Sequence, residues 1–193
     1  MVSVLEEMEE YAAKNNIPIM MKDGIEFLTK YIEDHHIKNI LEIGTAIGYS
    51  SIKMALVSSD IHVTTIERDE SRYEEAIKNI KKANLEEQIH VILKDALDVE
   101  LKDSYDLIFI DAAKAQYIKF FEKYKIYLNK NGVIVSDNLN FHGLVHSKEP
   151  IESRNVRGLV RKLNNYIVFL QNNLEFETTF YELGDGVSIS IKK

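Results

Sequence analysis

The stretch Leu41–Ser50, with the sequence LEIGTAIGYS, decides the fold: an apolar run ends at a glycine and a helical pattern begins. Gly44 allows the backbone to approach a ligand closely, and Gly48 allows tight packing where the helix starts. An acidic residue, Glu67, ends the next apolar run, where its carboxylate can accept both hydroxyls of a ribose. The combination predicts a nucleoside-binding strand–turn–helix unit; the alternative is a structural turn beside a solvated Glu.

Short apolar runs and helical patterns alternate along most of the chain, which is typical of repeated β–α units. Five runs predict strands of a mainly parallel sheet: Asn39–Ile43, His62–Glu67, Ile89–Leu93, Asp106–Ile110 and Val133–Ser136. Helical periodicity covers Ser71–Ala83, Gln116–Leu128 and Arg154–Asn172. Each helix then connects or covers strands of the same sheet.

Two further runs, Glu175–Tyr181 and Val187–Ile191, are separated by the turn residues Gly184-Asp185-Gly186 and predict a C-terminal antiparallel hairpin. We therefore expect an α/β fold with a seven-stranded, mostly parallel sheet and helices on both faces. Near the N-terminus the pattern predicts one or two helices with a break at Ile17-Pro18, because proline lacks the N–H. We expect one domain, 1–193, with residues 1–36 as a helical segment packed on it.

The composition excludes several classes of protein. With 24 Lys and Arg against 31 Asp and Glu, the net charge is −7, which excludes a polybasic protein whose whole surface attracts nucleic acid. The absence of Cys excludes disulfides, zinc–thiolate sites, iron–sulfur clusters and thiol nucleophiles. No apolar run approaches the roughly 20 residues that span a bilayer, and the N-terminus is unlike a signal peptide. We expect a cytoplasmic protein with no membrane partner.

The glycine spacing indicates which nucleoside is bound. The motif is G-x-x-x-G rather than the G-x-G-x-x-G that places a pyrophosphate on a helix N-terminus. The turn contains no Lys or Arg, and Glu42 would repel a phosphate. An acidic residue here suits a ligand with a cationic amino-acid end, and S-adenosylmethionine (SAM) fits best. Asp95-Ala96 would then lie beside the adenine, although an Asp after a strand is often only a turn residue.

Oxygen-bearing side chains follow the fourth and fifth predicted strands. Asp111 ends one and Asp137-Asn138 end the other, and adjacent parallel strands place these ends side by side. Three oxygen donors without sulfur predict a hard-cation site, with Mg²⁺ preferred and Ca²⁺ or Mn²⁺ as alternatives. In the other interpretation Asp111 contacts the ligand ammonium and Asp137-Asn138 form an Asx-type turn.

Lys114 lies three residues beyond Asp111. A lysine near a divalent cation and a sulfonium has its charged form disfavoured, so it can act as a neutral general base. The alternative is a surface lysine at a helix start.

Six ordered motifs carry a resemblance to a known family: LEIGTAIGYS, TIERDE, KDAL, IFIDAAKAQY, SDNLNFHG and GDGVSIS. Together they resemble the class I SAM-dependent, cation-dependent O-methyltransferases, which include catechol and caffeoyl-CoA O-methyltransferases. The resemblance runs from about Ile17 to the C-terminus. Within the family the chain is most similar to the bacterial group that methylates 5-hydroxyuridine at the wobble position of tRNA to 5-methoxyuridine.

This resemblance implies a Rossmann-like methyltransferase fold, a homodimer and a set of site residues. The implied metal ligands are Asp111, Asp137 and Asn138, and the implied catalytic residues are Lys114 and Asp111. The implied SAM contacts are Met20, Glu42, Gly44, Thr45, Gly48, Ser50, Glu67, Arg68, Asp95, Ala96 and Asp111.

The resemblance further implies methyl transfer to a hydroxyl beside a second oxygen, which a catechol and a 5-hydroxyuracil both offer. For a tRNA anticodon stem-loop, Arg154, Arg157, Arg161 and His142 would form the rim, and Tyr117, Phe141 and His142 would stack on bases. Charges along a helix are more often a solvated face, which leaves small phenolic acceptors as the alternative. A non-catalytic SAM-binding protein is a third interpretation, although the intact Asp111, Lys114, Asp137 and Asn138 argue against it.

Overall fold

The computed structural model describes residues 3–141, 143–145 and 152–193. Within them, seven strands form one sheet: β1 (Asn39–Ile43), β2 (His62–Glu67), β3 (Ile89–Leu93), β4 (Tyr105–Ile110), β5 (Leu128–Ser136), β6 (Phe176–Tyr181) and β7 (Val187–Lys192). The helices are α1 (Val4–Asn15), α2 (Lys22–Asp34), α3 (Tyr49–Ala55), α4 (Glu70–Lys82), α5 (Tyr117–Tyr124) and α6 (Arg154–Gln171). Short 3₁₀ turns cover Ala96–Asp98, Lys114–Gln116 and Lys125–Tyr127.

The strand order is β3-β2-β1-β4-β5-β7-β6, and only β7 runs against its neighbours. Ile43 lies opposite both Ile66 and Ile110, and Ile110 lies opposite Ser136. The carboxyl ends of the central parallel strands are therefore level. Because β1 stands between β2 and β4, the order reverses there, and this is where open α/β sheets bind ligands. The predicted seven-stranded sheet with its terminal hairpin is confirmed.

Two hydrophobic cores cover the two faces of the sheet, because side chains alternate along each strand. Phe109 packs on the face that carries the first four helices. Its neighbour Ile108 packs on the other face, with α5 and α6. Helices on both faces are thus as predicted.

The N-terminal segment is two helices separated near Pro18, as the sequence indicates. Met8 and Ala12 of α1 and Leu28 and Ile32 of α2 are buried in the first core. No helix in the described part of the chain combines the length and the apolar character needed to cross a membrane.

One boundary differs from the prediction. The helix predicted over Gln116–Leu128 ends at Tyr124, and β5 begins at Leu128 rather than Val133. Leu128 pairs with Tyr105 through the backbone, and the register shifts before Val133. Pairing of this kind needs no apolar side chains, and the polar residues after Leu128 hid the strand from a search for apolar runs.

Asp106 joins the starts of three central strands. Its carboxylate accepts hydrogen bonds from the N–H groups of Lys38 (3.1 Å) and Asn39 (2.9 Å) and from the amide of Asn129 (2.8 Å). Burial alone would raise the pKa of this carboxyl, but these hydrogen bonds and the Lys38 charge outweigh burial and lower it. The ionised side chain therefore stabilises the edge of the sheet opposite the carboxyl ends.

We expect Asp106→Ala to lower the free energy of unfolding by about 1–3 kcal/mol at neutral pH, because three donors lose a charged acceptor. The folded-state pKa lies below the unfolded value of 3.8, so the stabilisation is present above that value and disappears as the pH falls through the folded pKa. Urea unfolding over a pH series measures the difference, with the exposed Asp103→Ala as control. A difference between Asp106→Ala and the native chain that does not shrink in acid would contradict this account.

Candidate active site

A cavity of about 260 Å³ opens at the carboxyl ends of the parallel strands. Its lining comes from the segments that follow β1 to β5, together with Pro18 and Ile19 from the N-terminal segment. The predicted site residues that line it are Gly44, Glu67, Arg68, Asp95, Ala96, Asp111, Lys114 and Asn138. Five separate stretches of sequence thus meet around one space, as the level strand ends require.

Gly44 forms the floor of this cavity in a conformation that only glycine adopts easily. Its φ is +107°, and a Cβ at this position would collide with the carbonyl oxygen of Asp111. Its N–H donates to the carbonyl of Ile66 at 3.0 Å. The missing side chain therefore lets the turn after β1 lie directly against the end of β4.

Backbone groups fix the carboxylate of Glu67 at the end of β2. Its two oxygens accept the N–H groups of Ala46 (2.8 Å), Arg68 (2.9 Å) and Asp69 (2.9 Å). The side chain is 7% exposed and lines the cavity. A carboxylate oriented in this way retains lone pairs for the two hydroxyls of a ribose.

Asp95 takes the corresponding position after β3. Its carboxylate accepts the N–H of Leu97 at 2.9 Å and lies 3.6 Å from the Arg68 guanidinium. The turn that follows begins at Ala96, which also lines the cavity. Arg68, Asp95 and Ala96 thus line the cavity together with Glu67.

Glu42 lies beneath the cavity rather than in its wall. It is fully buried and accepts hydrogen bonds from the hydroxyls of Ser50, Ser51 and Thr65. Burial is the main cause that raises its pKa to about 7. Five of the predicted cofactor contacts are absent from the cavity lining: Met20, Glu42, Thr45, Gly48 and Ser50. Their contact with a cofactor stays a prediction.

Asp111, Asp137 and Asn138 are brought together as predicted. The amide nitrogen of Asn138 donates to Asp111 and to Asp137, each at 2.9 Å. Burial raises the pKa of both carboxyls, and the charge of Asp111 raises that of Asp137 further. The Lys114 ammonium acts in the opposite direction on both. Two carboxyls that repel each other thus stand at the edge of the cavity, with Asp137 buried and Asp111 half-buried.

The donors at this edge fit a divalent cation. Among the described residues no three His, Cys, Asp or Glu side chains form a metal cluster, so the candidate set is two carboxyls and one amide. Rotation of the Asn138 amide exchanges its nitrogen for its oxygen. Three oxygen ligands suit Mg²⁺, Ca²⁺ or Mn²⁺, and a cation would remove the repulsion between Asp111 and Asp137.

The predicted RNA-binding residues stand outside the cavity. Arg154, Arg157 and Arg161 are exposed on the N-terminal half of α6, and Arg157 donates to the carbonyl of Glu152 at 2.7 Å. The helix packs on the 3₁₀ turn that carries Lys114. The proposed rim residue His142 lies outside the described residues.

The prediction that Tyr117 stacks on bases is wrong. The side chain is 1% exposed, and its hydroxyl donates to the carbonyl of Asp137 at 3.1 Å. Phe141, by contrast, is half-buried and its ring centre lies 5.8 Å from the Lys114 nitrogen. Of these two aromatic candidates, only Phe141 therefore has a ring that is open to a ligand.

The sequence analysis missed several cavity residues, notably Pro18, Ile19, Arg72, Gln116 and Phe120. The sequence predicts a helix break at Ile17-Pro18, and nothing in the apolar residues there signals a cofactor wall. Phe120 falls within the predicted helix Gln116–Leu128, and helical periodicity does not show which of its residues border a cavity.

Comparison with known proteins gives consistent matches. A family model described as O-methyltransferase matches residues 1–193. A caffeoyl-CoA O-methyltransferase from Populus kitakamiensis is 28% identical and covers 94% of this chain and 80% of its own. A solved structure from Staphylococcus aureus, provisionally described as a caffeoyl-CoA O-methyltransferase, is 42% identical, has a TM-score of 0.94 and covers 99% of this chain and 93% of its own. An O-methyltransferase from Bacillus cereus in complex with SAH is 28% identical, with a TM-score of 0.82 and coverages of 98% and 90%.

We expect Glu42→Gln to remove a pH dependence of stability. The folded-state pKa of Glu42 is raised from 4.5 to about 7, so its stabilising effect is complete below 4.5 and is lost as the pH rises through 7. Over that interval the native chain should lose about 3 kcal/mol of unfolding free energy relative to Glu42→Gln.

Chemical denaturation between pH 4 and pH 8 tests this expectation, with Glu74→Gln on the exposed side of α4 as the matched control. If Glu42→Gln follows the native profile across the whole range, folding does not shift the pKa of this carboxyl and burial does not raise it.

Proposed function

The chain belongs to the O-methyltransferase family and is a SAM-dependent enzyme; from this premise we propose that it transfers a methyl group to a hydroxyl that stands beside a second oxygen. We propose further that a divalent cation, with Mg²⁺ preferred, is held by Asp111, Asp137 and Asn138. The observation that carries the proposal is the pair of mutually repelling carboxyls, Asp137 buried and Asp111 half-buried, that one amide joins at the edge of the cavity.

The cavity supports a nucleoside cofactor. Glu67 offers its carboxylate to the ribose, and Ala96 and Asp95 border the space for the adenine. The Bacillus cereus relative binds SAH, and this supports the same use of the cavity here. When bound, SAM supplies an electrophilic methyl group on a sulfonium, next to the level ends of β1 and β4.

The remaining chemistry is a proton transfer and a displacement. A divalent cation held by Asp111, Asp137 and Asn138 would supply the positive charge that lowers the pKa of the acceptor hydroxyl. Lys114 lines the same cavity and interacts electrostatically with both carboxyls, and in its neutral amine form it would take the proton. The acceptor oxygen then forms a bond to the methyl carbon as the carbon–sulfur bond breaks. Holding the acceptor oxygen and the methyl carbon of SAM close together provides much of the acceleration of methyl transfer.

Small phenols with neighbouring oxygens are the acceptors that the relatives support, since their names refer to caffeoyl-CoA. The half-buried ring of Phe141 stands beside Lys114 and offers an apolar face to such a substrate. A catechol-type ring therefore fits the proposed cation ligands, the proposed base Lys114 and the apolar face of Phe141.

A 5-hydroxyuridine in a tRNA anticodon stem-loop is a second candidate acceptor, because its 5-hydroxyl and 4-carbonyl offer the same chelate. The specific observation in its favour is the position of Arg154, Arg157 and Arg161. They are exposed on a helix that packs beside the turn carrying Lys114, where phosphate contacts would orient an RNA.

We expect Asp137→Asn to lower kcat for methyl transfer by at least about a hundredfold, because one charged ligand of the proposed cation is lost. Addition of EDTA to the native enzyme should abolish transfer, and Mg²⁺ should restore it. Labelled SAM with catechol-type phenols and with bulk tRNA as acceptors measures both effects.

The control is Asp98→Asn, which changes an exposed carboxyl that does not line the cavity. In the absence of Mg²⁺, SAM affinity should survive in Asp137→Asn, since that side chain does not line the cavity either. Full activity in EDTA would exclude the cation. Tight SAM binding without transfer to any phenol or RNA would favour a non-catalytic SAM-binding protein.

Substitution of the arginines of α6 distinguishes between tRNA and a small phenol as the methyl acceptor. If RNA is the substrate, replacement of Arg154 and Arg157 by Gln should raise the apparent KM for tRNA and flatten the slope of log K against log salt by about one unit per lost phosphate contact. SAM affinity and transfer to a phenol should be unchanged.

Kinetics over a salt series measure this, with Lys78→Gln/Lys81→Gln on α4 as the charge-matched control. Unchanged tRNA kinetics in the arginine variant would mean that the exposed face of α6 is only solvated. Loss of 5-methoxyuridine in the tRNA of cells lacking the gene would support the RNA acceptor independently.

A further inference from the structure

The loop that carries Asp137 and Asn138 is held by the turn between β6 and β7. Asn138 has a φ of +62°, a left-handed conformation that needs support from its surroundings. The next two residues supply it: the N–H of Leu139 donates to the carbonyl of Gly186 at 3.0 Å, and that of Asn140 donates to the carbonyl of Asp185 at 2.7 Å. The turn thus fixes the loop from outside the parallel sheet.

The same turn is attached on its other side to the start of α2. The N–H of Gly184 donates to the carboxyl group of Asp23 at 2.8 Å. The packing is close as well: a Cβ on Gly184 would stand 3.4 Å from the side chain of Met21, and one on Gly186 would stand 2.9 Å from the nitrogen of Asn140. The turn at Gly184–Gly186 therefore packs between the start of α2 and the loop that carries Asp137 and Asn138.

The start of α2 is in turn continuous with the wall of the cavity. Pro18 and Ile19 line the cavity, and Asp23 follows them within the next turn of chain. Met20 is buried between these positions and packs against Gly24. Pro18, Ile19 and Asp23 therefore belong to one short stretch of chain that Met20 anchors in the core.

We propose that Asp23 is a positioning residue that couples the cofactor wall to the loop bearing Asp137 and Asn138. It touches neither cofactor nor reacting atoms; it acts through the Gly184–Gly186 turn. SAM binding that orders the cavity wall at Pro18-Ile19 then also orders the loop at Asp137-Asn138. By the same coupling, a cation that orders this loop raises the affinity for SAM. The proposal rests on the proposed function for its two ligands, but the physical link exists without them.

Hydrogen exchange in the ligand-free protein tests the link itself. In Asp23→Ala the amide hydrogens of Leu139 and Asn140 should exchange about tenfold faster, because the turn that accepts their hydrogen bonds has lost an anchor. Asp23→Asn keeps an acceptor for Gly184 and should restore protection. The matched control is Asp34→Ala at the far end of α2, where the carboxyl pairs only with Lys30 among the contacts described. Unchanged protection in Asp23→Ala would overturn the proposal.

Calorimetry then tests the coupling in the absence of any acceptor. In the native protein Mg²⁺ should raise the affinity for SAM by about fivefold or more; in Asp23→Ala this factor should fall below about twofold, whereas Asp23→Asn and Asp34→Ala should retain it. A factor that survives in Asp23→Ala, or that is absent from a native protein binding both ligands, would overturn the coupling. If the native protein binds no Mg²⁺, the cation of the proposed function fails, and the exchange experiment still decides the link.

Discussion

The close contact between the turn after β1 and the end of β4 is the constraint on which the site depends. Gly44 lies against the carbonyl of Asp111, and the N–H of Asp111 donates to the carbonyl of Ile43 at 3.0 Å. This contact falls where the strand order reverses. One glycine thereby lets the turn after β1 and Asp111 line the same cavity.

Much of this arrangement follows from local sequence. Apolar runs ending in Gly44, Glu67, Asp95 and Asp111 locate the strand ends, and parallel register makes those ends level. The sequence does not show whether the Glu42 side chain points towards the cavity. Because β1 is buried on both faces, its residues do not alternate between apolar and polar, and no side of the strand is marked as exposed. Glu42 accepts hydrogen bonds from three hydroxyls and does not line the cavity, and its predicted contact with SAM stays a prediction.

Charge is the second theme of the site. At one edge of the sheet, loss of solvent raises the pKa of the carboxyls of Glu42, Asp111 and Asp137. Desolvation disfavours their ionised forms, so this edge favours cationic occupants over anionic ones. Ligands that supply positive charge here would stabilise the folded state as well as bind to it. The chain as a whole is acidic, and the carboxyls at this edge favour the binding of cationic ligands.

The reversal of β7 has a consequence for synthesis of the chain. Because β7 runs against its neighbours, the turn before it reaches the same edge as the ends of the parallel strands, and Gly184 meets Asp23 across 161 residues. On the ribosome, the parallel half of the sheet can assemble while this turn is still within the exit tunnel. The nascent protein would then form the parallel strands before the turn between β6 and β7. The loop at Asn138 would still lack the hydrogen bonds that this turn accepts from it. Ligand-binding geometry is thus a late event of folding, completed only when β7 pairs with β5.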